Sequence, residues 1–140
     1  MNLPEILKSA KKYHSDQEII QMTADQLIKD MGDFSIPIQF KARLNESFGQ
    51  GDKETPYREL FDQVEPVIYT LEMMQPEKLK SLLYRIDISE NEIKKHISSA
   101  NPNSANPKTD LSSFITDLVL QRELQKVLTR IYFSSPERLV

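Results

Sequence analysis

The sequence predicts an all-α protein, a single domain over residues 1–140 folded as an irregular bundle of about six helices. Three observations favour this fold class. Apolar residues recur at intervals of three and four through most of the chain, as the buried face of a helix requires. Two Ser-x-x-Glu segments have the form of the capping box that begins a helix. Several prolines stand where helices would start, and no pair of alternating apolar segments indicates a sheet.

The first two predicted helices occupy the N-terminal quarter of the chain. A short apolar stripe ends near Tyr13, and a longer helix begins at Ser15, whose hydroxyl can cap the amide of Glu18 while that glutamate reaches back. Gly32 is predicted to be the left-handed residue that ends this helix. The apolar face of the longer helix consists of Ile20, Ala24, Leu27, Ile28 and Met31.

Residues 34–44 are compatible with two structures. Apolar side chains alternate from Phe34 to Leu44, as in a half-buried strand. Pro37 removes a backbone donor, which restricts such a strand to a sheet edge, and no second alternating segment offers it a partner. A helix starting near Pro37 would instead place Phe40, Leu44 and Phe48 on one face. We favour the helix and keep a short edge strand as the alternative.

The middle of the chain predicts a long helix that begins at Thr55-Pro56, where threonine caps and proline occupies the first helical position. Helical apolar spacing continues from Tyr57 to Leu71 straight through Pro66. Because an internal proline removes one hydrogen bond and clashes one turn back, this segment is predicted to be either one kinked helix or two abutting helices.

Two shorter helices are predicted next. One begins at Pro76, and the other begins at the capping box formed by Ser89 and Glu92. Ile88, just before that box, is expected to contact Ile93 as a hydrophobic staple.

The final helix is predicted from Asp110 to Phe133, after a mobile loop over residues 99–109. At about 100° per residue, the apolar residues of its two halves point about 200° apart. A helix that contacts one core keeps a single stripe, so we expect this helix to lie centrally or at an interface. The first half contributes Leu111, Phe114, Ile115 and Leu118, and the second contributes Leu120, Leu124, Val127, Leu128 and Ile131.

Composition restricts the classes of function. The chain contains no cysteine, which excludes disulfides, thiolate metal ligands and a cysteine nucleophile. It contains neither a long apolar segment typical of a membrane span nor a basic-then-apolar start typical of a secretory signal. We therefore expect a cytoplasmic protein with no membrane segment.

Charge is unevenly distributed along a chain whose net charge is −3. Residues 51–77 carry seven acidic and two basic side chains, whereas residues 78–140 carry ten basic and seven acidic ones. This excess of positive charge is too thin for a concentrated polyanion-binding face, so nucleic-acid binding is unlikely on the sequence. The asymmetry favours packing of the two halves on each other or on a second copy.

No catalytic, metal-ligating or cofactor-binding residue is predicted. His14 and His96 have no second histidine or glutamate at metal-site spacing, and we interpret both as structural or solvent-exposed. The chain has no Gly-x-Ser-x-Gly motif and only three glycines, which argues against a nucleophile elbow or a phosphate loop.

Acidic residues are the best candidates for an enzyme. Either Asp25 and Asp30, or Glu59, Asp62 and Glu65, could meet carboxylates of a neighbouring helix. Because carboxylates are rarely buried unless paired, we interpret most of them as solvated.

The candidate site is a protein interface on the final helix. Arg122, Lys126 and Arg130 form a basic ridge at intervals of four, and Glu123 can pair with Lys126. The ridge could meet the acidic 51–77 segment of another copy or of a different protein, with apolar residues supplying affinity. The predicted interface residues are Leu120, Leu124, Val127, Leu128, Ile131, Arg122, Lys126, Arg130, Tyr132 and Phe133.

The sequence thus predicts a non-catalytic protein–protein interaction or assembly module that acts through its C-terminal helix. Its partner would be a different protein or a second copy in a homo-oligomer, with no cofactor. An enzyme that uses clustered carboxylates is the first alternative. A weak nucleic-acid-binding protein, using residues 76–98 as a helix-turn-helix, is the second.

Overall fold

The structure, a computed structural model, describes residues 8, 10, 11, 14–36, 56–99 and 107–134. Those ranges hold five helices and no strand, so the all-α prediction is confirmed, with five elements in place of about six. A helix and an edge strand were weighed for residues 34–44, and all of these beyond Ile36 lie outside the described residues, as does most of the first predicted helix. The helices are α1 (Asp16–Gly32), α2 (Pro56–Met74), α3 (Pro76–Arg85), α4 (Glu90–Ser99) and α5 (Pro107–Ser134).

The start of α1 is the predicted capping box. The Glu18 amide donates to Ser15 Oγ at 3.2 Å, and the Ser15 amide donates to Glu18 Oε1 at 3.1 Å. The helix ends at Gly32 as predicted, but Gly32 is not left-handed, and the residue with positive φ is Ser35, at 58°. The following residue, Ile36, is buried, and its amide donates to the Met31 carbonyl at 3.0 Å. The chain therefore turns back onto its core one residue after Ser35.

Helix α2 passes through Pro66 without interruption, so the prediction of one helix is confirmed and the two-helix alternative is wrong. It begins at Pro56, as predicted. Pro66 is exposed, and Thr70 Oγ1 donates to the Pro66 carbonyl at 2.9 Å. Because Pro66 has no amide hydrogen, the carbonyl one turn before it loses its helical partner. On this exposed side of the helix, water can donate to that carbonyl instead.

The turn between α3 and α4 has no glycine, yet it contains a left-handed residue, Asp87, with φ of 66°. The Ile88 amide donates back to the Leu83 carbonyl at 2.9 Å, as in a Schellman ending. The predicted second capping box then begins α4, with Ser89 and Glu92 exchanging hydrogen bonds of 3.1 and 3.3 Å.

Helix α5 is continuous from Pro107 to Ser134, so it begins before the predicted Asp110 and takes in the last residues of the predicted 99–109 loop. It packs along both α1 and α2 and also touches α4, which confirms its central position. Among the described residues, no helix is long and apolar enough to cross a membrane.

The two halves of α5 contribute to two separate hydrophobic clusters. The N-terminal half packs Ile115 and Val119 into a main cluster with α1, α2 and α3, and Leu120, assigned on the sequence to the second half, belongs to this cluster as well. The C-terminal half packs Val127, Leu128 and Ile131 against the start of α1 in a second cluster that includes Ile19. The expectation that α5 contacts different neighbours along its length is therefore confirmed.

The change of face along α5 is smaller than the apolar residues alone implied. At about 100° per residue, the buried faces of its two halves differ by about 90° instead of about 200°. The difference arises because three polar residues belong to the buried stripe, whereas Leu111, Phe114 and Leu118 are only half-buried. The buried residues of α5 are Ser112, Ile115, Thr116, Val119, Leu120, Glu123, Val127, Leu128 and Ile131.

Candidate functional site: a buried charge cluster beside an apolar groove

The apolar residues predicted to form an interface on α5 are mostly covered by their own chain. Leu120, Val127, Leu128 and Ile131 are buried in the two clusters described above. Leu124 and Tyr132 are half-buried against the second cluster. Phe133, 52% exposed, is the largest apolar surface left on this part of the helix. An interface through this stripe stays a prediction, with little of the stripe accessible to a partner.

The basic ridge of α5 is engaged within the chain. Arg122 binds Glu92 of α4 at 3.0 Å, and Arg130 donates to Gln26 of α1 at 2.8 Å. Lys126 Nζ lies 3.0 Å from Asp30 Oδ2. These contacts hold α5 to α1 and α4, whereas the acidic 51–77 segment supplies none of them.

Two buried carboxyl groups meet where α1 and α5 cross. Asp30 is 2% exposed and Glu123 is 0% exposed, and Lys126 Nζ is also 3.3 Å from Glu123 Oε1. Gln26 donates to Asp30 Oδ1 at 3.2 Å, and Arg85 Nε of α3 lies 3.6 Å from the same oxygen. We call these five residues the Asp30–Glu123 cluster. It lies between the two hydrophobic clusters, where charge is costly unless paired.

The two carboxyl groups differ in acidity. Burial, together with the hydrogen bond and the negative charge of Asp30, raises the pKa of Glu123 to about 8 against the opposing effect of the Lys126 ammonium. Burial acts on Asp30 in the same direction, but the hydrogen bond with Glu123 and the Lys126 ammonium outweigh it and lower the pKa of Asp30. At neutral pH this arrangement favours a protonated Glu123 beside an ionised Asp30.

Of the carboxylates considered on the sequence, Asp30 meets another carboxyl group, that of Glu123. Asp25 accepts instead from Gln21 at 3.1 Å, and Asp62 pairs with Arg58 at 3.3 Å, both on their own helices. Glu65 accepts from Ser113 of α5 at 3.2 Å. Within the described ranges, no group of three histidine, aspartate or glutamate side chains is placed to hold a metal ion.

An apolar groove of about 760 Å³ lies between α3, α4 and the end of α1. Tyr84 stands at its edge with 86% of its surface exposed. The apolar part of the lining comes from Phe34, Leu83, Tyr84, Ile88 and Ile93, and the polar part from Lys80, Ser81, Arg85, Ser89 and Glu90.

Charged residues at the rim of the groove are paired. Lys80 Nζ lies 3.2 Å from Glu90 Oε1, which bridges α3 to α4. Arg85 binds Asp33 at 2.5 Å and stands 6.0 Å from the centre of the Phe34 ring. Because Arg85 also contacts Asp30, it connects the groove with the Asp30–Glu123 cluster.

The sequence identified Asp30 as a carboxylate that could meet one from a neighbouring helix, but not its partner Glu123, and it did not predict the groove. Glu123 lies four residues from both Val119 and Val127, a spacing that puts it on the same helix face as these two buried residues. Its spacing of three from Lys126 suggested instead a surface ion pair. The staple pair Ile88 and Ile93 was recognised, and both line the groove.

The histidines fit their structural interpretation. His14 Nδ1 is 3.4 Å from Glu18 Oε2, and the His96 ring stacks on Phe114 with centroids 3.8 Å apart.

The sequence matches no protein-family model, and neither curated proteins nor solved structures give a significant match.

Proposed function

We propose that this protein is a non-catalytic protein-interaction module whose groove between α3 and α4 accepts an amphipathic helix of a partner protein. The single observation that carries the proposal is the groove itself, about 760 Å³ in volume, with an apolar lining and Tyr84 exposed at its edge. An amphipathic helix laid in a groove buries its apolar face on side chains spaced three and four apart.

The composition of the groove supports a protein occupant. Its apolar centre is surrounded by hydroxyl groups and by the ion pair between Lys80 and Glu90. Protein interfaces share this anatomy, with an apolar centre inside a polar rim. Tyr84 adds an aromatic side chain of the kind that is enriched among the residues that dominate binding energy.

The light packing of α4 also supports the proposal. None of its side chains from residue 90 to 97 is fully buried. It is attached by the Lys80–Glu90 and Arg122–Glu92 ion pairs, by Ile93 on the main cluster and by the His96–Phe114 stack. Its apolar side chains Ile93 and Ile97 stay half-buried and exposed respectively, which leaves apolar surface of α4 accessible to a partner.

The carboxylate enzyme receives less support. Its acidic pair, Asp30 and Glu123, is buried and lines neither this groove nor the smaller cavity beside His14. A substrate would need access to one of these carboxyl groups.

Self-association through α5 would rely on Leu124, Tyr132 and Phe133, since the rest of the predicted stripe is buried.

Site-specific photo-crosslinking tests the proposal. A photoreactive phenylalanine analogue replaces Tyr84 in the full chain, and the matched control replaces Tyr69, an exposed tyrosine on α2. We expect the probe at position 84 to capture one discrete protein, with the crosslink mapping by mass spectrometry to an amphipathic helix. The Tyr84→Asp variant should prevent co-purification of that protein, whereas Tyr69→Asp should not.

Four results would overturn the proposal. They are equal capture from both positions, no protein captured at position 84, a crosslink to a second copy of this chain, and retention of a small apolar molecule in the groove in place of a protein.

A further inference from the structure

We infer that Glu123 keeps its proton at neutral pH and donates a hydrogen bond to Asp30, so that the junction of α1 and α5 becomes less stable as the pH rises from the mildly acidic range through neutrality. This inference concerns the packing of the two helices and does not depend on what the groove binds.

The geometry of Glu123 motivates the inference. Its side chain is fully buried, and neither carboxyl oxygen accepts a hydrogen bond of regular geometry within the described part of the chain. Lys126 lies 3.3 Å from Oε1, but the same ammonium is closer to Asp30, at 3.0 Å. Both carboxyl groups therefore lie against the same ammonium, where two ionised carboxylates would repel each other, whereas a protonated Glu123 can donate an O–H···O hydrogen bond to Asp30.

The surrounding charges favour one proton on the pair. From α1, Asp30 and Asp33 contribute two negative charges, and Arg85 of α3 contacts both of them. From α5 itself, Lys126 supplies the positive charge closest to Asp30. With Glu123 neutral, the two cations match the two aspartates, so an ionised Glu123 would add a buried charge for which the described residues provide no further cation in contact.

Other ionisable groups around α5 have their own partners. Arg130 donates to the neutral amide of Gln26, and Arg122 is held by Glu92 of α4. The groups from α2 contact the N-terminal half of α5, where Glu72 and Glu65 accept from serine hydroxyls and the Tyr57 hydroxyl donates to Asp117. The shared proton is therefore a property of the α1–α5 crossing.

The free energy of unfolding depends on pH because the folded and unfolded states bind different numbers of protons. The pKa of Glu123 is about 8 in the folded chain, above its ordinary value of 4.5. Between these two values the folded state holds a proton that the unfolded state has released, so the free energy of unfolding decreases as the pH rises. The decrease ends above the folded-state pKa, where Glu123 ionises and Asp30 loses its donor.

Equilibrium unfolding in urea tests this inference on the full chain. From about pH 5.5 to about pH 7, the unfolding equilibrium constant of the wild type should rise by up to about tenfold per pH unit more than that of Glu123→Gln. Glutamine keeps a donor toward Asp30 but cannot titrate. Glu77→Gln, which removes an exposed carboxylate of α3, should retain the wild-type slope.

Infrared spectroscopy of the wild type gives a second measurement that does not depend on a variant folding. The carbonyl band of a protonated carboxylic acid should be present at neutral pH and vanish by about pH 10. Absence of that band at neutral pH would overturn the inference. So would equal pH slopes for the wild type and a folded Glu123→Gln.

Discussion

The Lys126 ammonium lies 3.0 Å from Asp30 Oδ2, and this ion pair joins the C-terminal half of α5 to the end of α1. The aspartate is buried, whereas the lysine reaches it from a partly exposed position. The contact bridges residues that are 96 positions apart in the sequence. It therefore fixes the crossing of two helices that no local interaction could align.

Removing the cation of this pair should destabilise the fold. Lys126→Met leaves Asp30 buried with Arg85 as its remaining cation, at 3.6 Å. We expect a loss of about 2 kcal/mol in the free energy of unfolding, less than for a fully buried pair because the lysine is partly exposed. Urea denaturation measures it, with Lys29→Met on the exposed side of α1 as the control. A loss no larger than that of the control would contradict the prediction.

A fall in pH should weaken the contact between α1 and α5 because it protonates Asp30. Its pKa is lowered below 3.8, because the hydrogen bond with Glu123 and the Lys126 ammonium outweigh the opposing effect of burial. The ionised aspartate thus contributes stability above its unfolded pKa, and that stability is lost as the pH falls through the lowered value. Melting temperatures measured across the acidic range should fall less steeply for Asp30→Asn than for wild type. Asp25→Asn, at an exposed site on α1, should keep the wild-type slope.

Truncations along α5 distinguish its core residues from its surface. Leu128 is almost fully buried, so Leu128→Ala should cost about 3 kcal/mol through lost contacts and the cavity left behind. Phe133 is 52% exposed, and Phe133→Ala should cost less than about 1 kcal/mol. Thermal and urea unfolding of both variants provide the comparison. If Phe133→Ala lost more stability than Leu128→Ala, the assignment of Leu128 to the second hydrophobic cluster would be contradicted.

Glycine at the α3–α4 turn should stabilise the protein. Asp87 has φ of 66°, a conformation that costs an L-residue about 1–2 kcal/mol and costs glycine little. After allowing for the greater freedom of glycine in the unfolded chain, we expect Asp87→Gly to gain about 0.5 kcal/mol. Ser81→Gly, inside α3 and also exposed, should instead lose about 0.5–1 kcal/mol. A loss of stability in Asp87→Gly would show that the aspartate side chain supports the turn.

Local patterns in the sequence determined the helices because capping and periodicity act over only a few residues. Both capping boxes, the proline starts of α2 and α3, and the central position of a long final helix were predictable. The left-handed ends were not, because Ser35 and Asp87 adopt positive φ where burial of Ile36 and Ile88 brings the chain back to the core. Tertiary packing selected a conformation that their side chains do not favour.

The tertiary structure alone decided which charged residues are buried. The basic ridge of α5 has the spacing of a solvent-facing surface, yet its partners come from α1 and α4. On the sequence, Glu123 is interpreted as the local partner of Lys126. Its position beside Asp30 depends on the crossing of α5 with α1. Sequence spacing specifies which side chains share a helix face. It cannot specify which distant helix covers that face, and that contact sets the burial, the charge balance and the proton affinity of the site.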